Sequence, residues 1–276
     1  MRHAAMVWVV LLSIASMVIP ARPATSMILA TTTSTRDTGL LDVLVPIFEQ
    51  ETGIEVKVIA VGTGAALRMA RKGQADAVFT HAPSSEKLLV EEGHLIEGRR
   101  IMHNDFLIVG PKDDPASARV DRLETSLGNI AVAGSFISRG DDSGTHKREL
   151  HLWKLAEVEP AGIARREETG QGMGATLDIA GQRKSYTLTD RGTFLALGPR
   201  LDLIPIFQGH PDLLNVYTVY VVNPEKHAGV KASLARQFAQ FMASPSVQER
   251  IGKFRAEEFG RPLFQPDANG TPDDVS

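Results

Sequence analysis

From Met27 onward, apolar residues spaced for strands alternate with apolar residues spaced for helices. Met27-Ile28-Leu29 reads as a strand. Leu40, Leu41, Leu44, Ile47 and Phe48 then share one face of a helix over 39–50. Pro46 falls inside that helix and predicts a kink or a restart. A second strand over 55–60, a second helix over 65–72 and a buried third strand over 75–80 follow. A third helix over 83–92 opens on Pro83 and Ser84, residues suited to a helix start. This repetition predicts a parallel sheet with right-handed crossovers, an α/β fold.

Farther along, 104–111 reads as a long strand ending in a turn. A short helix over 121–127, a strand over 129–133 and an amphipathic helix over 148–158 come next, the last with Leu150, Trp153 and Leu155 as core positions. The Gly-rich segment 169–174 opens a helix over 175–182. Residues 185–188 form a short strand, and Thr189 to Gly192 cap the next helix. Leu214 to Val222 alternates as a strand, followed by helices over 229–242 and 245–252. From Phe254 the chain is polar, with Pro262, Pro266 and Pro272, and reads as a loose tail. The long strands 104–110 and 214–222 bracket the middle of the chain. They predict two lobes joined by two crossing strands, with a cleft between them. Lobe I would take residues 27–105 and 214–276, lobe II residues 106–213.

The segment ahead of Met27 changes this picture only at the start. Met6 to Pro20 is apolar, Arg2 and His3 precede it, and Ala21, Ala24 and Ser26 follow. That is the pattern of a secretory signal peptide over residues 1–26, cleaved near 24–26. The apolar run is short for a membrane span, and no other run is long enough. Composition is that of a globular protein, 43% hydrophobic and 23% charged. A formal net charge of −3 argues against nucleic acid and against a polybasic membrane patch. The chain has no cysteine, which excludes disulfides, thiolate metal sites, a cysteine nucleophile and a lipid-bearing cysteine.

Candidate chemistry gathers in the loops after strands. Thr31-Thr32-Thr33-Ser34-Thr35 directly follows the first strand. Such a loop offers hydroxyl donors, backbone N–H groups and the positive end of a helix dipole, a combination suited to an oxyanion. Serine and threonine also cap helices, so an ordinary capping turn is the alternative. In open α/β sheets ligands sit beyond the carboxyl ends of the strands. The 31–35 and 62–64 loops both fall there. A third loop, Ser138-Arg139-Gly140-Asp141-Asp142-Ser143-Gly144-Thr145-His146, again joins a strand to a helix. Arg139 can give bidentate hydrogen bonds to an oxyanion, or it can pair with Asp141 or Asp142. Enzyme signatures are missing. Gly62-Thr63-Gly64-Ala65 lacks the Lys-Ser/Thr ending of a phosphate loop. The glycines at 170, 172 and 174 do not have dinucleotide spacing. The histidines show no zinc pattern, and no nucleophile elbow occurs.

The chain resembles the periplasmic tungstate-binding proteins of ABC importers, cousins of the molybdate-binding proteins. The resemblance rests on the 31–35 hydroxyl run with Asp37-Thr38-Gly39, on Ala75-Asp76 before Phe79-Thr80-His81, on the 138–146 block and on Tyr186-Thr187-Leu188-Thr189-Asp190-Arg191-Gly192. It implies the two-lobed, type II binding-protein fold with the ligand cleft between lobes. It implies that Thr33, Ser34, Thr63, Arg139, Ser143, Gly144 and Thr145 surround one oxyanion, with Tyr186 near them. It implies no catalysis, no cofactor and no metal other than tungsten within its oxyanion. The implied partners are the membrane permease and ATPase subunits of an ABC importer, and the implied form is a monomer, periplasmic and unlipidated. Molybdate, sulfate or phosphate is the alternative ligand. Two other classes share the fold: the effector domain of a transcription regulator, which needs a helix-turn-helix that has no room before Met27, and an enzyme on the same scaffold.

Overall fold

A computed structural model describes residues 25–197 and 200–270. The targeting segment expected over 1–26 lies outside the described residues except for Thr25 and Ser26. These two already belong to the first strand, β1 (Thr25–Thr32). The chain continues with α1 (Thr33–Asp37), α2 (Leu40–Thr52), β2 (Ile54–Val61), α3 (Thr63–Arg71), β3 (Ala77–Thr80) and α4 (Pro83–Glu91). β1 pairs in parallel with β2 on one side and β3 on the other, as the sequence pattern predicts. Along β1 and β3, residues alternate between two cores. Met27, Leu29, Ala77 and Phe79 face α2, while Ala30 and Val78 face α3. A sheet covered on both faces explains why β3 is buried at every position. Helix α2 runs unbroken through Pro46. The carbonyl left without its partner belongs to Asp42, and both residues are exposed, so water can satisfy it.

The strand β4 (Leu95–Pro111) is shared by both lobes. From Leu95 to Asp105 it pairs antiparallel with β9 (Leu214–Val222), and β9 in turn pairs antiparallel with β3. From Phe106 onward β4 pairs instead with β7 (Thr187–Asp190) and β8 (Leu203–Phe207). The hydrophobic cores change over at the same place. Met102 belongs with Leu29, Phe48 and Phe238, whereas Phe106 and Ile108 belong with Trp153 and Tyr186. The second lobe further contains α5 (Leu123–Ala133), β5 (Phe136–Ser138), α6 (Gly144–Leu155), β6 (Arg166–Glu168), α7 (Met173–Gln182) and α8 (Arg191–Leu197). Its β5 and β6 are parallel. The chain returns through β9 to α9 (Ala232–Met242), α10 (Pro245–Lys253), α11 (Ala256–Phe259) and β10 (Gln265–Pro266). The result is a two-lobed α/β fold with its cleft between the lobes.

Three expectations are corrected. The strand expected over 129–133 is the end of α5. Leu123, Leu127 and Ile130 fall on one buried helical face, while Val132 is 89% exposed. In α6 the core positions are Leu152 and Trp153; Leu150 and Leu155 are exposed, because the buried face runs through Thr145, Glu149, Leu152 and Trp153, and the helix starts earlier than expected, on an N-cap at Ser143. The tail is not loose up to residue 270. Leu263 and Phe264 are buried, Phe264 packs edge-on against Tyr217 at 5.3 Å, and β10 pairs with β4. Asp267 then accepts from Arg100 Nε at 3.0 Å and pairs with His103.

Glu86, in the first turn of α4, is wholly buried. One of its carboxyl oxygens accepts from the Thr80 hydroxyl and the Ala82 N–H, both at 2.7 Å. Burial pushes its pKa up from 4.5 to about 7. The native state therefore keeps a proton that the unfolded chain releases near pH 4.5. The stability this gives is full below that pH and lost as pH rises through about 7. Gln at this position keeps an accepting oxygen and cannot ionise. Denaturant unfolding at pH 5 and pH 8 should show Glu86→Gln gaining roughly 2–3 kcal/mol on the parent across that range. An unchanged difference at the two pH values would contradict the assignment.

Candidate functional site

The hydroxyl run divides its labour. Thr31 Oγ donates to the Phe79 carbonyl at 2.7 Å and ties β1 to β3. Thr32 caps α1, accepting from the Thr35 N–H at 3.2 Å, and its hydroxyl lies 2.7 Å from that of Thr35. Thr33 and Ser34 are left facing a cavity of about 380 Å³ between the lobes. The capping reading of this loop holds at Thr32, and Thr32, Thr33 and Ser34 all line the cavity. Beside it, Gly62 is the N-cap of α3, and Thr63 lies buried in the cavity wall.

The opposite wall comes from lobe II. Arg139 follows β5, is buried, and reaches the same cavity together with Asp141, Ser143 and residues 170–172. Its terminal nitrogens donate to Asp141 at 2.5 Å and to the Thr145 hydroxyl at 3.4 Å. Its Nε is buried with no partner among the described residues. The ion pair weighed from sequence exists, and it orients the guanidinium while leaving the Nε nitrogen without a partner among the described residues. Ser143 caps α6, accepting from the His146 N–H at 3.2 Å. The lobes touch here: the Gly144 N–H donates to the Thr63 hydroxyl at 3.1 Å. Thr63 and Ser143 thus each spend a lone pair on a backbone N–H, which leaves the hydroxyl hydrogen for the cavity. The N-termini of α3, α6 and α7 border this space with their positive dipole ends, although in α6 the Gly144 and His146 N–H groups are already taken by Thr63 and Ser143. Donors predominate, and both carboxylates of the wall are engaged: Asp141 by Arg139 and the Ser143 N–H at 3.2 Å, Asp37 by Arg36.

Residues 20–246 match a PBP superfamily domain. A tungstate-binding protein of Peptoclostridium acidaminophilum is 42% identical over 247 residues, covering 88% of this chain and 86% of that protein. One from Campylobacter jejuni is 36% identical over 240 residues, covering 85% and 88%. Among solved structures, the tungstate-binding protein of Desulfovibrio alaskensis G20 is 42% identical with a TM-score of 0.79, covering 89% of this chain and all of that one. A tungstate ABC transporter structure from Geobacter sulfurreducens is 44% identical with a TM-score of 0.73, covering 83% and 98%. This chain belongs to their family.

Within this family member, the structure brings Thr33, Ser34, Thr63, Arg139 and Ser143 to one cavity, with Gly144 and Thr145 bonded to two of them. Tyr186 stands apart. It is fully buried in the lobe II core, and its hydroxyl donates to Asp114 at 2.6 Å and accepts from the Ala116 N–H at 3.0 Å. The reason is local: Gly110 on β4 leaves the gap its ring fills, and a Cβ there would sit 2.4 Å from the ring. Sequence reasoning missed two contributors. Gly170, Gln171 and Gly172 line the cavity, and the Gly-rich start of α7 was their only signal. His81 lies behind Ser34, 3.2 Å from its hydroxyl. Burial lowers the His81 pKa to about 4, so the ring is neutral at pH 7. Asp76, which belongs to the same motif as His81, is structural: it accepts from the backbone of Ile28 and Lys231. Removing the Tyr186 hydroxyl (Tyr186→Phe) should therefore cost about 1–2 kcal/mol of stability in denaturant unfolding and leave ligand affinity unchanged. A large loss of affinity with intact stability would return Tyr186 to the site.

Proposed function

We propose that this chain is the extracytoplasmic substrate-binding protein of an ABC importer and that it captures tungstate. The observation that carries the reading is a cavity between the lobes whose wall brings Arg139 together with the hydroxyl residues Thr33, Ser34, Thr63 and Ser143, the Arg139 Nε being buried without a partner among the described residues. A tetrahedral oxyanion without protons is an acceptor on every side, and this wall offers hydroxyl, guanidinium and helix-terminal donors from both lobes. The names of the four relatives support tungstate in particular. Molybdate is the nearest alternative, with sulfate and phosphate behind it.

The working cycle is capture, closure and delivery. Lobe I, residues 27–105 and 214–276, and lobe II, residues 106–213, swing about the crossing strands β4 and β9. The changeover of hydrophobic clusters near Asp105 supports this partition. A ligand favours the closed form only by touching both lobes. Ser34 and Thr63 on one side and Arg139 and Ser143 on the other meet that condition. The loaded protein, exported by its signal peptide, free of lipid and monomeric, then docks on the permease, whose ATPase subunits drive import. The role is binding, not catalysis.

Titration calorimetry of the mature protein at one pH, with tungstate, molybdate, sulfate and phosphate, tests the ligand. Tungstate is expected to bind tightest, molybdate more weakly, and the other two not at all. Silence with all four would overturn the oxyanion site. Arg139→Ala should lose roughly 2–5 kcal/mol of tungstate binding, as when one partner of a desolvated charge pair is removed; unchanged affinity would put the site elsewhere.

A further inference from the structure

Hydroxyl polarity is settled at Thr63 and Ser143 by a backbone N–H, but not at Ser34. Its oxygen has two neighbours among the described residues, Thr32 Oγ at 3.0 Å and His81 Nε2 at 3.2 Å. The His81 ring is buried at the end of β3 and stacks on Tyr217 at 4.7 Å. Across the cleft it meets α6 so closely that a Cβ on Gly144 would lie 3.0 Å from its Cε1. Its Nδ1 lies 2.9 Å from Asn215 Oδ1. The other end of the Asn215 amide, Nδ2, lies 2.7 Å from Asn104 Oδ1 and 3.1 Å from the Tyr217 hydroxyl. Asn104 and Asn215 face each other on β4 and β9, one residue before the lobes change over. A hydrogen-bonded chain thus runs from the crossing strands to a residue of the cavity wall.

The chain can be polarised in two directions. With the amides placed as above, His81 carries its proton on Nδ1, and its bare Nε2 draws the Ser34 hydroxyl hydrogen away from the cavity. Ser34 then shows lone pairs to an anion, which is repulsive. The same placement leaves Asn104 Nδ2 buried without a partner. Rotating both amides exchanges their oxygen and nitrogen at nearly the same positions. Asn104 Nδ2 and the Tyr217 hydroxyl then donate to Asn215 Oδ1, Asn215 Nδ2 donates to His81 Nδ1, and His81 Nε2–H donates to Ser34 Oγ. The Ser34 hydrogen is released toward the cavity. The number of protons is unchanged; one has moved from Nδ1 to Nε2. The group left over becomes the Asn104 carbonyl oxygen, and a buried bare oxygen is more readily tolerated than a buried bare N–H.

We propose that His81 is the positioning residue that makes Ser34 a donor to the bound oxyanion, held as its Nε2–H tautomer by the Asn104–Asn215 amide chain. This rests on the oxyanion reading above. The neutral state that burial enforces on His81 gives the ring a single N–H, so only one polarity is available at a time.

The test is nitrogen NMR of histidine-labelled protein at pH 7, with and without saturating tungstate. His81 is assigned by the signals missing from His81→Asn, and calorimetry is run on the same samples. The tungstate-saturated parent should show His81 Nε2 protonated and Nδ1 bare. His81→Asn should bind tungstate about tenfold or more weakly, as loss of a residue that orients a ligand-contacting group does. That loss should vanish when Ser34→Ala is already present. Tungstate binding with His81 protonated on Nδ1 overturns the proposal and leaves the oxyanion reading standing. No heat with tungstate overturns both.

Discussion

The constraint behind this structure is the replacement of an anion's water shell by donors that already point the right way. Each hydroxyl carries one hydrogen, so it serves an anion only if a neighbour claims its lone pair. The fold meets this need with backbone. The Gly144 N–H claims Thr63, the His146 N–H claims Ser143, and three helices direct their positive dipole ends at the same space. Arg139 is held by Asp141, and its Nε is left buried without a partner among the described residues. The architecture follows from that requirement. Parallel β–α units place loops and helix N-termini together beyond the strand ends, and two such units facing each other enclose a ligand.

Closure depends on one strand serving two sheets. β4 exchanges β9 for β7 between Asp105 and Phe106, and Asp105 itself accepts from Arg191 Nε of lobe II at 2.6 Å. The two lobes keep separate cores on either side of the crossing strands. The Thr63–Gly144 contact bridges the two sides of the cleft and is also the contact that orients Thr63.

Much of this was legible in the sequence because strand, hydroxyl loop and helix leave a repeating local signature. The 31–35 and 138–146 loops show it most clearly. β9 was readable over its full length because Val, Tyr and Thr, the residues strands favour, fill it from Val216 to Val222. What was illegible had physical causes. Residues 129–133 are apolar and short enough to suit either period, and only the burial of Leu123, Leu127 and Ile130 on one face decides for helix. Gly170 and Gly172 line the cavity with backbone, so no side chain announces them. The apolar pair Leu263-Phe264 stood alone among prolines and charges and carried no period at all. His81 was quoted as part of a motif, but its partners are 47 and 134 residues away in sequence.

The central claim is that one oxyanion sits between the lobes against Arg139. A crystal structure of the tungstate-loaded protein, with tungsten located by its anomalous scattering, tests it most directly. The account predicts one peak in the cleft, its oxygens within hydrogen-bonding reach of Arg139 Nε and the hydroxyls of Ser34, Thr63 and Ser143. A peak confined to the protein surface, or a cleft site that leaves Arg139 Nε without contact, would contradict it.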